Sequence, residues 1–343
     1  METSDRIAWK TNDQSFCSQM MKRLSVFLFS ALALLPASSL RAQQMPSVEE
    51  NIPFMVTFSK EADKHWGDDD NEQSVFFSVP EGRKDPIYIR VFDPDIGGKN
   101  DEMHGVYNSK TKFSIYGGHG AHSDPDARKM NPVGNFKSGA LLVSKTFGND
   151  TAYDNKWYTF GPFNPLEGEL QPEYGGYIFK LIVEGLQGDD ANLYKLFLSS
   201  SKDHNASVEG GNAFAYEYCF RTNDAVGSVS HIYPFVGKNV ISIKLNMFDY
   251  DEEGLVRIIS VTRRGDFAEV SKDGDWSETL FKTAAEEANT SLDIQLIKKK
   301  PLKSNNMVLY VTDQYGESLP FYAVPIGGVP KFAYKIGVKP KIR

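Results

Sequence analysis

The sequence predicts an all-β protein: two β-sandwich domains, jelly-roll or immunoglobulin-like, behind a signal peptide. Three observations carry that expectation. Long amphipathic helical patterns are almost absent. Runs of alternating, β-branched and aromatic residues recur, and clusters of Gly, Pro, Asn and Asp interrupt them every ten residues or so. Short strands bounded by turn residues at such a spacing belong to sandwiches and barrels.

In chain order, residues 1–20 are polar and precede a segment that looks like the true beginning. Residues 21–42, MKRLSVFLFSALALLPASSLRA, place Lys22 and Arg23 ahead of an apolar stretch, Leu24 to Leu35, and small residues before a cut after Ala42. That order is a secretory signal. Translation is expected to start at Met20 or Met21, which makes residues 1–20 a mis-annotated extension. The apolar stretch is shorter than the roughly 20 residues of a membrane helix, and no other segment approaches that length. No cysteine follows it to carry a lipid. The expected product is exported (periplasmic, outer-membrane-associated or secreted), with no transmembrane segment in its mature part.

Strands are expected at 54–59, 74–79, 87–92, 112–116, 140–145, 156–160, 177–184, 193–199, 213–221, 230–236, 240–248, 256–262, 292–296 and 307–312. Residues 277–289, SETLFKTAAEEAN, instead combine helix formers with an apolar spacing that suits a short helix. A boundary near Thr222, after KDHNASVEGGNAFAYEYCF, divides a first sandwich over 43–222 from a second over 223–343.

The net charge is −7, and the signal segment is itself basic, so the exported part is more acidic still. That balance disfavours nucleic acid as a partner. The basic run 298–300 and the tail KFAYKIGVKPKIR fit a solvated edge. Of two cysteines, Cys17 falls before the cut, which leaves Cys219 without an intramolecular disulfide partner. Its setting, AFAYEYCF, suits a small buried hydrophobe.

The acidity is clustered. After the strand at 87–92 comes DPDIGGKNDE, in which Asp93 and Asp95 bracket a proline, Gly97 and Gly98 permit a sharp turn, and Asp101 and Glu102 bring carboxylates back. Calcium takes six to eight oxygens from flexible loops, and close carboxylates repel unless a proton or a cation bridges them. Asp189 and Asp190 in GDD, and Asp68–Asp70 in GDDDNE, occupy loops that a sandwich can bring to the same end. Asp93, Asp95, Asp101, Glu102, Asp189 and Asp190 are therefore the candidate calcium ligands. The spacing is not that of an EF-hand.

Three segments carry a family likeness: FSVPEGRKDPIYIRVFDPDIGGKNDE, YGGHGAHSDPDARKMNPVGNFKSGALL and GGYIFKLIVEGLQGDDANLYKLFLSS. Over roughly residues 50–220 the chain resembles uncharacterised secreted β-sandwich modules of Bacteroidota. More distantly it resembles calcium-stabilised jelly-roll domains of the pre-peptidase and carbohydrate-binding kind. The resemblance implies an accessory or binding module with calcium at Asp93, Asp95 and Asp101. The ligand pattern of no characterised carbohydrate-binding group is present.

One loop invites a catalytic interpretation. GGHGAHSDPD holds His119, His122, Asp124 and Asp126, which are ligand types for zinc. The histidines are three apart and none follows Asp124, so the metallo-β-lactamase pattern is not met and a surface loop is expected. The G-x-S-x-G, H-E-x-x-H, Walker and dinucleotide motifs are absent.

Aromatic residues make up 13% of the chain. Most are expected to fill cores, while Trp66 and Trp157, beside turns, are the candidates for stacking on a sugar. The composite expectation is an exported, non-catalytic binding or envelope-organising protein, calcium-stabilised and associated with a glycan or cell-envelope component. A protein assembly partner is a further expectation. The alternatives are a polysaccharide hydrolase using two carboxylates across a cleft and a structural subunit of an outer-membrane assembly.

Overall fold

The computed structural model describes residues 43–252, 254–301 and 306–334. The expected extension and signal peptide, residues 1–42, lie outside the described residues. Within them every strand ladder is antiparallel. Helical structure is confined to single short 3-10 turns such as Lys64–Trp66 and Ala285–Glu287. The all-β class holds. No helix among the described residues is long and apolar enough to cross a membrane.

The largest sheet has nine strands. Its order is Trp276–Lys282, Ser242–Phe248, Asn306–Asp313, Glu217–Arg221, Phe54–Phe58, Ala191–Ser199, Ile87–Phe92 and Trp157–Phe163, with Gln44–Met45 beside Ala191–Ser199. A seven-stranded sheet faces it, centred on Glu72–Pro80, Gly176–Gln187 and Lys110–Gly117. Alternation sorts the side chains between faces. Met55, Ile89, Val91, Tyr194, Leu196 and Phe220 of the large sheet meet Val75, Phe77, Phe113, Phe179, Leu181 and Val183 of the other in one buried core. The intervening residues Val56, Phe58, Leu193, Cys219 and Val308 point outward and form a second cluster that Trp66 covers.

A smaller sheet of four strands, including Gly254–Ile259 and Asp293–Lys298, covers the distal strands of the large one. Its Val256, Ile258, Ile294 and Leu296 join the same core as Ile243, Leu245 and Met247. The boundary expected near Thr222 falls at the end of Glu217–Arg221. That strand pairs with Phe54–Phe58 on one side and with Asn306–Asp313 on the other, so strands from both sides of Thr222 share one sheet.

Three expected elements change. Residues 277–289 are not a helix: Trp276–Lys282 is a strand paired with Ser242–Phe248, and a 3-10 turn at Ala285–Glu287 follows. Pairing along its whole length with Ser242–Phe248, from Trp276 to Lys282, overrides helix propensity. The run 213–221 breaks at Tyr216 into Asn212–Ala215, which joins the seven-stranded sheet, and Glu217–Arg221, which joins the nine-stranded one. The run 230–236 breaks before Pro234 into Val229–Ile232 and Phe235–Val236, because proline cannot donate to a ladder.

Candidate metal centre and adjoining cleft

Strands Ile87–Phe92 and Trp157–Phe163 are neighbours, with Phe92 opposite Trp157. The loop that follows the first and the loop that precedes the second are thereby brought to the same end. Asp93 and Asp95 come from one loop and Asp154 from the other, with ligand oxygens all within 4.8 Å of one another. Asp93 adopts φ 56°, and its Oδ1 accepts from Asn155 N at 2.7 Å while Oδ2 accepts from the Asn100 side chain. Asp95 is only 1% exposed, and both of its carboxylate oxygens are buried without a hydrogen-bond partner. Asp154 Oδ1 is in the same condition. A Cβ on Gly98, at φ +70°, would lie 3.2 Å from the Asp154 carboxyl carbon, so the turn closes tightly against that carboxylate.

The electrostatics follow from this crowding. Burial, then contact with Asp154 and the charge of Asp93, push the Asp95 carboxyl up to about 7. Burial also raises Asp93, against its hydrogen bonds from Asn100 and Asn155. Two carboxylates in contact offer only acceptors, so a proton or a cation belongs between them. The all-oxygen donor set suits calcium or another hard divalent ion.

The other expected ligands are placed differently. Asp101 is buried next to this group, but its oxygens accept from Gly97 N and Leu193 N, both at 2.7 Å. Glu102 turns away to Arg221, to Asn306 Nδ2 at 3.0 Å and to His104 at 3.3 Å. Asp190 is capped by His104 N, Asn108 N, Ser109 N and Ser109 Oγ. Asp189 has a buried, unpartnered Oδ1 but belongs to none of the three carboxylate groups found among the described residues. Asp68–Asp70 form a group of their own, in which Asp68 accepts from Phe58 N, Asp70 N and Asn71 N. Sequence reasoning missed Asp154. Its signal was the acidic turn NDTAYDN just before the 156–160 strand, which becomes visible once the two strands are known to pair.

The histidine loop is a structural device. The buried Glu169 carboxylate accepts from Gly120 N at 2.9 Å, His122 N at 2.6 Å, Ser123 N at 2.9 Å and the Ser123 hydroxyl. Burial alone would raise its pKa, but these donors hold it at about 2. His122 is buried against Tyr216, with its Nε2 2.8 Å from that hydroxyl, and burial lowers it to about 4. His119 is almost fully exposed, while Asp124 caps the turn Pro125–Arg128. Cys219 is buried and free.

Trp66 and Trp157 stand on the outer face of the large sheet but apart. Trp157 packs on Phe92, with centroids 5.5 Å apart, under the Arg90 guanidinium. Trp66 stacks on His104, with centroids 3.5 Å apart and planes 5° from parallel, at the side of a cleft of about 280 Å³. His65, Glu102, Asp251 and Asp273 line the same cleft.

With this geometry in place, comparison with known proteins adds little. No family model matches. No curated protein matches either. Among solved structures, one from Parabacteroides distasonis described as a "putative secreted protein" is similar at 10% identity, over 82% of this chain and 97% of that one. Its TM-score is 0.19, and so loose an overlap carries no argument about fold or activity.

Proposed function

We propose that this chain is an exported, non-catalytic binding module whose loop end is held together by calcium at Asp93, Asp95 and Asp154. The observation that supports it is Asp95: a carboxylate with both oxygens buried, no donor, and a second carboxylate in contact. Nature leaves a buried charge in that state only where something positive completes it. Export rests on the signal-like segment 21–42. The binding role rests on the cleft beside Trp66, whose lining of aromatic, imidazole and carboxylate groups suits a hydroxyl-rich ligand such as a glycan or envelope polymer.

The test is a thermal melt of chelator-stripped protein with and without calcium. Calcium is expected to raise the midpoint of the wild type by clearly more than that of a variant carrying both Asp93→Ala and Asp95→Ala. A wild-type melt indifferent to calcium returns these loops to solvated turns and overturns the proposal.

A further inference from the structure

A second carboxylate group lies at the other end of the large sheet and does not depend on the centre just described. Strands Ser242–Phe248 and Trp276–Lys282 pair with Phe248 opposite Trp276. The turn leaving the first and the turn entering the second therefore meet. Asp249 and Asp251 come from one turn and Asp273 from the other, again with ligand oxygens within 4.8 Å of one another. The turns are tied by Gly274 N to Asp249 Oδ1 at 2.6 Å and by Tyr250 N to Ser271 Oγ at 2.8 Å.

Two further observations point to a ligand. Asp249 is 2% exposed, and its Oδ2 is buried with no hydrogen-bond partner although it stands in a group of three carboxylates. The group also opens onto a built cleft, since Asp251 and Asp273 line the same cavity as Trp66 and His104. His65 joins the two, its Nδ1 3.0 Å from Asp273 Oδ1 and its ring so close to Gly274 that a Cβ there would lie 2.2 Å from Nδ1. An imidazole bonded to a carboxylate in this way fixes the carboxylate's direction, as outer-shell partners do around metals.

We propose that Asp249, Asp251 and Asp273 bind a divalent cation of the calcium class on the wall of the cleft, with His65 as the positioning residue of Asp273. Three carboxylates supply fewer oxygens than the six to eight that calcium takes. The remaining coordination positions are filled by water, or by the hydroxyl or carboxylate oxygens of whatever enters the cleft. The proposed ion is thus part of the binding surface, whereas an ion at Asp95 stabilises a loop.

The experiment is calorimetric titration of calcium chloride into chelator-stripped full-length protein in 150 mM sodium chloride. Two sites tighter than 1 mM are expected in the wild type, with one lost in Asp249→Asn and the other lost in Asp95→Asn. Asp273→Asn provides a second variant at an exposed side chain, where folding is not at stake; it is expected to weaken the same site at least tenfold. A wild type with one site that Asp249→Asn removes and Asp95→Asn leaves intact supports this inference while defeating the loop centre. Unchanged stoichiometry and affinity in both Asp249→Asn and Asp273→Asn overturns it.

Discussion

Replacing Asp95 by Asn should have opposite consequences with and without calcium. The Asp95 and Asp154 oxygens lie within 4.8 Å. At an effective dielectric constant near 20, two unit charges at that distance repel by about 3.5 kcal/mol. Water would cut this to below about 1 kcal/mol, but Asp95 is 1% exposed and no protein donor reaches it. The charge of Asp93 is partly answered by Asn100 and Asn155, so Asp154 is the main charge acting on Asp95, after burial itself. In chelator above pH 7, where Asp95 is ionised, Asp95→Asn removes that repulsion and should be the more stable protein by up to about 3 kcal/mol, a rise of roughly 5 °C in Tm for a chain of this size. Calcium at a hundred times its Kd for this centre adds about 2.7 kcal/mol to the wild type that the variant does not receive. The gap between the two proteins should therefore close as calcium is added. Parallel melts by circular dichroism in chelator and in calcium read both numbers. A variant less stable than wild type in chelator, or two proteins shifted equally by calcium, would refute the electrostatic account.

Other consequences are local. Glu169→Gln leaves at least one backbone donor of the 120–123 loop facing an amide NH2, and a carboxyl held at about 2 against an ordinary 4.5 amounts to about 3 kcal/mol. Because that pKa is depressed, the stabilisation is present above pH 4.5 and lost as pH falls toward 2; urea melts should show wild type and variant converging there, and an undiminished difference at low pH would contradict the assignment. Glu50 is fully buried beside Ser47 and Tyr218, and burial pushes its carboxyl up to about 8. The stability of its neutral form is complete below pH 4.5 and drains away as pH rises through 8, so Glu50→Gln should gain on wild type by up to about 4 kcal/mol between pH 5 and 8. Equal pH slopes for the two proteins would show that Glu50 is ionised in the fold. Gly67→Ala should cost about 3 kcal/mol or more, because at φ +102° a Cβ would sit 2.6 Å from the Asn306 backbone; denaturant titration of a variant within 1 kcal/mol of wild type would argue against that close approach.

The strand content was legible because β-branched and aromatic enrichment between turn residues is a local property: FMVTF, IYIRVF and ANLYKLFLS read as strands before any partner is known. Two of the failures share one cause. Whether 276–282 is helix or strand depends on Ser242–Phe248 lying alongside it, and that neighbour is more than twenty residues away. Tyr216 divides 212–221 between two sheets because each half finds a different long-range partner, Glu72–Pro80 for one and Phe54–Phe58 for the other. The candidate metal loop was legible in part for the same reason. Asp93 and Asp95 announce themselves within one turn, whereas Asp154 enters only through the pairing of Phe92 with Trp157.

Composition marks carboxylates, but hydrogen-bond accounting separates their roles. Asp101, Asp190, Asp68 and Glu169 look as acidic in the sequence as Asp95 and Asp249, yet each spends its oxygens on backbone N–H groups and so replaces a turn that the chain could not otherwise satisfy. Asp95 spends neither oxygen, and Asp249 spends one. A carboxylate capped by amides has little left to offer a cation. A buried one facing other carboxylates carries a desolvation cost that only a proton or a cation offsets. Among the described residues that condition arises at Asp95 and at Asp249, where strand pairing joins two turns, at Phe92–Trp157 and at Phe248–Trp276, and also within the single turn Asp68–Asp70, where Asp69 Oδ1 and Asp70 Oδ2 are buried without a partner. At Asp95 and Asp249 it is sheet topology, rather than the number of acidic residues in one loop, that brings the facing carboxylates Asp154 and Asp273 into reach.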